Sequence, residues 1–327
     1  RRVLFRSRDE AGARLMMKPC RIVAAGSGRD GLAEPVIWDA IVGLSDSATP
    51  TVLYLGTATY DLPGPEAGQT LRFRESGSTI NRLPLALQTP SDEAMQAHFD
   101  AADVILASGG NTLFAVDRWK RCGVDRLLRE ALERGAVLCG GSAGAICWFD
   151  GGHSDSMDPK TYKSPMLASS SGQDPAAAPN TREPADWGYI RVPGLGFLPG
   201  LCCPHHDRTQ SNGIPRAHDF EGMMLRHSGE TGICIDHYAA LVFDGESYEV
   251  VRSSDRDGSV DGRPGILAKR VEAGVVSTLS VPDRGRISDL LRPAEYLSEE
   301  PRLSVARSDR KSTRPELQSP CNLVCRL

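Results

Sequence analysis

The chain has no surplus of positive charge, no apolar run of membrane-spanning length, no paired-cysteine motif and no internal repeat. Its 327 residues carry 38 Lys and Arg against 42 Asp and Glu, a formal net charge of -4. General nucleic-acid binders and binders of anionic membranes need a basic surplus, so both classes are set aside. No stretch approaches the ~18 consecutive apolar residues of a membrane helix. The opening segment RRVLFRSRDEAGARL has neither an apolar h-region nor a small-residue cleavage site, so it does not read as a secretory signal. There are 9 cysteines, none in a CxxC pair, and an odd number argues against a complete disulfide framework. Several lie in apolar runs, where a free thiol behaves as a small hydrophobe. A reducing, cytoplasmic setting is expected. Cys202, Cys203, His205 and His206 are metal-ligating residue types, but adjacent ligands rarely face one ion, so no metal or other cofactor is expected.

What is present is ordinary globular material, 40% hydrophobic and 24% charged, in a chain long enough to bury a sizeable core. The two ends differ from the body. RRVLFRS at the start and SDRKSTRPELQSPCNLVCRL at the end resemble translated adapter or vector DNA. Residues 1–15, with five Arg against two acids, are therefore expected to be a non-native leader, and 308–327 a non-native tail. The body between is more acidic than the whole. Residues 16–282 read as one α/β domain, and 283–307 as a C-terminal extension with little core. Within the body, 164–187 is rich in Pro, Ala and Ser and reads as a long surface loop.

Short apolar runs alternate with helical segments along the middle. RIVAAGSG (21–28), TVLYLGTAT (51–59), LPLALQTP (83–90), AADVILASGGN (101–111) and AVLCGGSAGA (136–145) read as strands with their turns. The stretch 112–135 reads as helical, with Gly135 as its stop. LGFLPGLCCPHHD (195–207) is strand-like, 231–251 resembles two strands around a DG turn, and 265–282 reads as edge strand. Continuous apolar strands separated by helices imply a doubly wound, mostly parallel sheet covered on both faces. Function in such sheets sits beyond the carboxyl ends of the strands.

The sharpest local signal is Gly140-Gly141-Ser142-Ala143-Gly144, a G-x-S-x-G run between the apolar AVLC and AICWF. A strand that turns sharply into a helix leaves a serine hydroxyl exposed at the apex, and the flanks must lack bulk because the turn is tight. The N–H of Ala143 would then begin a helix and help hold an oxyanion. A serine nucleophile also needs a base and an orienting acid. The loop 151–158, GGHSDSMD, offers Asp155 and Asp158. His205 and His206 combine the Ser-to-His chain order with a strand end, whereas His153 lies close to the elbow and before the acids. Ser108-Gly109-Gly110-Asn111 ends another strand. Gly110 or Asn111 could supply a second oxyanion donor, and Asn111 could cap the next helix.

GGNTLF (109–114), GGSAGAICWF (140–149), GGHSDS (151–156) and CPHHD (203–207) together resemble the peptidase E family of serine peptidases, which includes aspartyl dipeptidases and the related cyanophycinases. The resemblance spans roughly residues 20–245. It implies a doubly wound α/β fold akin to class I glutamine amidotransferases, with Ser142 as nucleophile, His205 as base, and Gly110 and Ala143 as oxyanion donors. It also implies an acid from the GGHSDS loop, for which Asp155 is expected ahead of Asp158. The aspartyl specificity of the family uses an Arg after the catalytic His. Arg216 is the expected carboxylate grip and Arg208 the alternative, with Asn111 a further substrate contact. The expected function is a serine peptidase hydrolysing short peptides, a dipeptidase of the aspartyl type in its sharpest form. The alternatives are a cyanophycinase-like or other serine hydrolase, and an inactive amidotransferase-like binding module. The expected partner is a short peptide, with no nucleic acid and no membrane. A homodimer is compatible with the chain.

Overall fold

A computed structural model describes residues 20–162, 166 and 186–294. The stretches expected to be a leader (1–15), a tail (308–327) and, for nearly all of its length, a surface loop (164–187) lie outside these residues. The amino-terminal half builds a parallel sheet from β1 (Ile22–Ala25), β2 (Thr51–Leu55), β3 (Thr79–Arg82), β4 (Val104–Ala107) and β5 (Val137–Gly141), in the spatial order β1-β5-β4-β2-β3. Three antiparallel strands extend it beyond β1: β10 (Ala239–Asp244), β11 (Ser247–Arg252) and β14 (Arg284–Arg286). Strand residues alternate between two cores because successive side chains leave opposite faces. Val23, Val52, Val104 and Val137 fill one face, where α2 (Pro35–Leu44) packs through Ile37 and Ile41. Ile22, Leu53, Ile105 and Leu138 fill the other, against α6 (Thr112–Cys122), α7 (Val124–Arg134) and α8 (Ala143–Ile146). The sheet is thus covered on both sides, as continuous apolar strands require.

A second sheet of six strands was not foreseen. Its order is β13-β12-β9-β8-β6-β7, where β6 is Phe149–Ser154, β7 Ile190–Pro193, β8 Leu198–Pro204, β9 Gly232–Ile235, β12 Ile266–Glu272 and β13 Val275–Ser280. Cys202 faces the core shared with the large sheet, and Cys203 faces the opposite core with Phe220, Met223 and Met224 of α9 (Arg216–Arg226). Adjacent strand residues cannot share a side, which is why the two thiols diverge.

Several expectations are corrected. The third strand is Thr79–Arg82, and LPLALQTP (83–90) is a loop. Leu83 and Leu85 are buried, but the N–H groups of Leu85 and Ala86 donate to Asp61 Oδ2 rather than to a neighbouring strand. The helical stretch 112–135 breaks into α6 and α7 at Gly123, whose φ of 72° suits glycine and ends the first helix. The segment 231–251 holds three strands, one of which, β9, belongs to the smaller sheet. The packed body also runs past residue 282, because Ile287, Leu290 and Leu291 are buried. Among the described residues, no helix is long and apolar enough to cross a membrane.

Gly43, near the end of α2, would meet nothing within 4 Å if it bore a β-carbon. Gly43→Ala should therefore raise stability by about 0.5 kcal/mol, since alanine restricts the unfolded chain and favours helix. Urea unfolding would show this as a higher midpoint at an unchanged slope.

Candidate active site

The strand β5 delivers the G-x-S-x-G run at its carboxyl end. Ser142 adopts φ 57° and ψ -118°, a strained conformation for a residue with a β-carbon, and its carbonyl accepts from Ala145 and Ile146 to start α8. Every residue from Ala136 to Phe149 is buried except Ser142. The turn is possible because its flanks are glycine. A β-carbon on Gly140 would lie 2.6 Å from the Ala107 carbonyl oxygen and 2.7 Å from that of Gly144, and one on Gly144 would collide with the same Ala107 oxygen.

The loop after β4 lies beside the elbow, with Gly109 close enough that an added β-carbon would sit 3.5 Å from Ser142 Cβ. Its N–H groups have distinct fates. That of Gly109 donates to Gln69 Oε1 at 3.0 Å, and that of Asn111 donates to the Ala58 carbonyl at 2.8 Å. Between them, the Gly110 N–H has no acceptor among the described residues, and neither has that of Ala143. Gly110 has φ 123°, and a β-carbon there would collide with the Ala58 carbonyl, so only glycine fits. The two donors expected for an oxyanion are thus the two left open. Asn111 is not an oxyanion donor. Its side chain caps α6 by accepting from the Phe114 N–H at 3.0 Å, and its amide donates to the Ser156 carbonyl at 3.1 Å. Those bonds engage the groups that a substrate contact would need.

His205 follows the end of β8 with φ 50° and remains partly exposed. Its N–H donates to the Gly26 carbonyl at 3.1 Å, while the Ser142 N–H donates to the neighbouring Ala25 carbonyl at 3.2 Å. Ser142 and His205 therefore hang from consecutive peptide groups at the end of β1. His206 turns inward, buried, with Nδ1 3.6 Å from Asp236 Oδ1. His153 is fully buried on β6, with Nε2 2.8 Å from Asp219 Oδ1 and its ring stacked on Tyr189. Both rings are closed off from solvent, unlike that of His205.

The expected acids do not meet His205. Asp155 Oδ2 lies 3.2 Å from Arg216 Nη2, and Asp158 Oδ2 accepts from Ser211 Oγ at 2.7 Å. Arg216 is correspondingly not a substrate grip. It is wholly buried, it donates to the Pro204 carbonyl at 2.8 Å, and its guanidinium lies 5.0 Å from the Tyr189 ring centroid. Its place is beneath the strand end that carries His205. Burial pushes His205 well below the ordinary histidine range, and the nearby Arg216 charge pushes in the same direction. Arg208, the alternative, is exposed, pairs with Asp207 at 3.2 Å and donates its N–H to the His205 carbonyl at 2.9 Å.

The group that does reach His205 is His237, which sequence reasoning missed. The two Nδ1 atoms are 2.8 Å apart, and His237 Nε2 lies 3.2 Å from Asp30 Oδ2. One signal was available: the run GICID-H closes β9 as CCP-H closes β8, and β8 and β9 are parallel neighbours. Among the described residues, no group of three or more His, Cys, Asp and Glu side chains forms a metal site.

A serine raised on a strand-to-helix elbow, open N–H donors beside it and a histidine at a neighbouring strand end define an α/β serine hydrolase. The chain belongs to peptidase family S51, whose model matches residues 22–251, and it is an enzyme, a peptidase. A protein of Trypanosoma brucei brucei bearing the name G2/mitotic-specific cyclin-1 is 30% identical over 261 residues, covering 75% of this chain and 77% of that protein. That name has no counterpart in the site described here. The uncharacterized peptidase YgaJ of Bacillus subtilis is 32% identical over 169 residues, covering 51% of this chain and 59% of that one, so the alignment spans somewhat over half of that relative. In fold, the chain is similar to a peptidase from an acI-B1 Actinobacterium, with TM-score 0.52 and 17% identity over 83% of this chain and 97% of the other. It is also similar to a Listeria monocytogenes EGD-e protein provisionally assigned to peptidase E, with TM-score 0.50 and 19% identity over 73% of this chain and 100% of the other.

Burial pushes the His153 imidazole down to about 4 from an ordinary 6.5, against the opposing pull of Asp219. The unfolded chain thus takes up this proton before the folded one, so stability present above the ordinary value is lost as pH falls through that interval. His153 alone should account for about 2 kcal/mol of lost stability between pH 7 and pH 5. Urea midpoints at the two pH values should show a smaller acid loss in His153→Phe than in the parent.

Proposed function

We propose that the protein hydrolyses short peptides, as a dipeptidase, through an acyl-enzyme on Ser142. The observation that carries this reading is the arrangement of one partly exposed serine on the elbow with two open N–H groups, Gly110 and Ala143, beside it. Ser142 Oγ attacks the scissile carbonyl while His205 Nε2 takes its proton. The carbonyl oxygen, now an oxyanion, lies against the Gly110 and Ala143 N–H groups, which need no reorganisation to receive it. His205 then gives the proton to the leaving amine, and water repeats the sequence on the acyl-enzyme.

A preference for an N-terminal Asp was tied to Arg216. With that guanidinium buried under the His205 strand end and facing Asp155, the carrier of such a preference at the site is Arg208, exposed beside His205. The acidic balance of the chain makes a local arginine the more necessary for any anionic substrate.

Ser142→Ala should abolish labelling by a fluorophosphonate and lower kcat on dipeptides by at least about 10^4-fold. Labelling of that variant as strong as the parent's would refute the nucleophile. On a dipeptide panel, Arg208→Ala should narrow the gap between Asp-Leu and Ala-Leu. Equal turnover of the two by the parent would dismiss the aspartyl preference and leave the peptidase reading standing.

A further inference from the structure

The His205 imidazole can act as base only if Nδ1 carries the proton and Nε2 presents its lone pair, and Nδ1–H then needs an acceptor. Neither Asp155 nor Asp158 supplies one. His237 stands in that position, and it is held there from both sides. Its N–H donates to Asp207 Oδ1 at 2.7 Å, and its carbonyl accepts from Ser27 Oγ at 2.9 Å. Its ring lies edge-on to Tyr238, with centroids 4.6 Å apart.

The hydrogen-bond order along this chain is determined by chemistry. The Asp30 carboxylate only accepts, so His237 Nε2 carries a proton and donates to Asp30 Oδ2 across 3.2 Å. A neutral His237 then has a bare Nδ1, which must accept from His205 Nδ1–H across 2.8 Å. His205 is thereby fixed in the tautomer whose Nε2 is free.

We propose that His237, anchored by Asp30, is the positioning residue for His205 and takes the place expected of a carboxylate acid. This rests on the serine-hydrolase reading of Ser142 and His205. The surroundings favour neutral rings. Burial lowers both His205 and His237, with Arg208 adding in the same direction, while Asp30 and Asp207 pull His237 back up. Asp30 itself stays ionised: burial opposes this, but bonds from Arg29 and His237 outweigh it and hold the carboxyl below its ordinary range. Acid that charges His237 would put a second N–H opposite that of His205 and end the orientation.

The test is the rate at which a fluorophosphonate modifies Ser142, followed across pH, because it needs no knowledge of the peptide substrate. His237→Ala should label about 100-fold more slowly. His237→Glu, which sets a carboxylate against the His205 Nδ1–H, should stay within about 10-fold of the parent. Its acid limb should also shift to higher pH, because a neighbouring anion raises an imidazole's basicity. Asp30→Asn, at a side chain 41% exposed, disturbs little packing and should label several-fold more slowly, which keeps the question open to measurement if His237→Ala does not fold. Labelling of His237→Ala and Asp30→Asn at the parent's rate at every pH would overturn the inference. So would a His237→Glu variant as slow as His237→Ala with an unmoved acid limb. A parent protein that is not labelled at Ser142 would instead refute the serine-hydrolase reading itself.

Discussion

Two consecutive carbonyls at the end of β1 hold the proposed catalytic pair together. Ala25 receives the N–H of Ser142 and Gly26 receives that of His205. Ser142 follows a strand of the large sheet and His205 one of the small sheet, so this pair of bonds ties the proposed nucleophile to the proposed base across the junction of the two sheets. Gly26 has no room for a side chain, because a β-carbon would collide with the Asp236 carbonyl just before His237. The end of β1 thus touches, through its backbone, the segments that carry Ser142, His205 and His237. Backbone contacts of this kind cost little flexibility and are insensitive to side-chain motion, which suits a site needing sub-ångström placement.

Beneath that junction lies a layer of polar pairs, each with at least one buried member: His153 with Asp219, Arg216 with Asp155, and His206 with Asp236. Burying such groups is costly unless they are paired. Here the pairs carry structural duties. Arg216 ties Pro204 to the loop that bears Asp155, and Asp236 accepts from the N–H groups of Ser259 and Gly265 to close the turn before β12. Asp155 and Arg216, expected as the acid and the substrate grip, are in this layer, with Arg216 holding the strand end at Pro204.

The features legible in the sequence were those made by neighbours along the chain. The elbow, the Gly110 donor and the parallel strands are local patterns, each readable within about ten residues. The break at Gly123 was equally local and was overlooked, because the apolar spacing continues on both sides of it. The partner of His205 was not legible. His237 is 32 residues from it, and Asp30 is 207 residues from His237, so only the folded register brings them into line. Asp155 failed as the acid for the same reason. Its loop is tied down by Asn111 and Ser156, and that tether directs it toward Arg216. The smaller sheet escaped notice because its strands are contributed by distant parts of the chain.

The burial of everything around Ser142 has a chemical corollary. Cys139, Cys147, Cys202 and Cys203 are all within the core, and burial pushes each thiol upward, Cys203 to about 12. A thiolate is the reactive form, so these sulfurs are inert toward soft electrophiles at neutral pH. None of these four thiols competes with the Ser142 hydroxyl, the nucleophile proposed above. The neighbourhood of the elbow is consequently rich in cysteine yet thiol-silent, and a soft thiol-directed electrophile would leave these four sulfurs untouched.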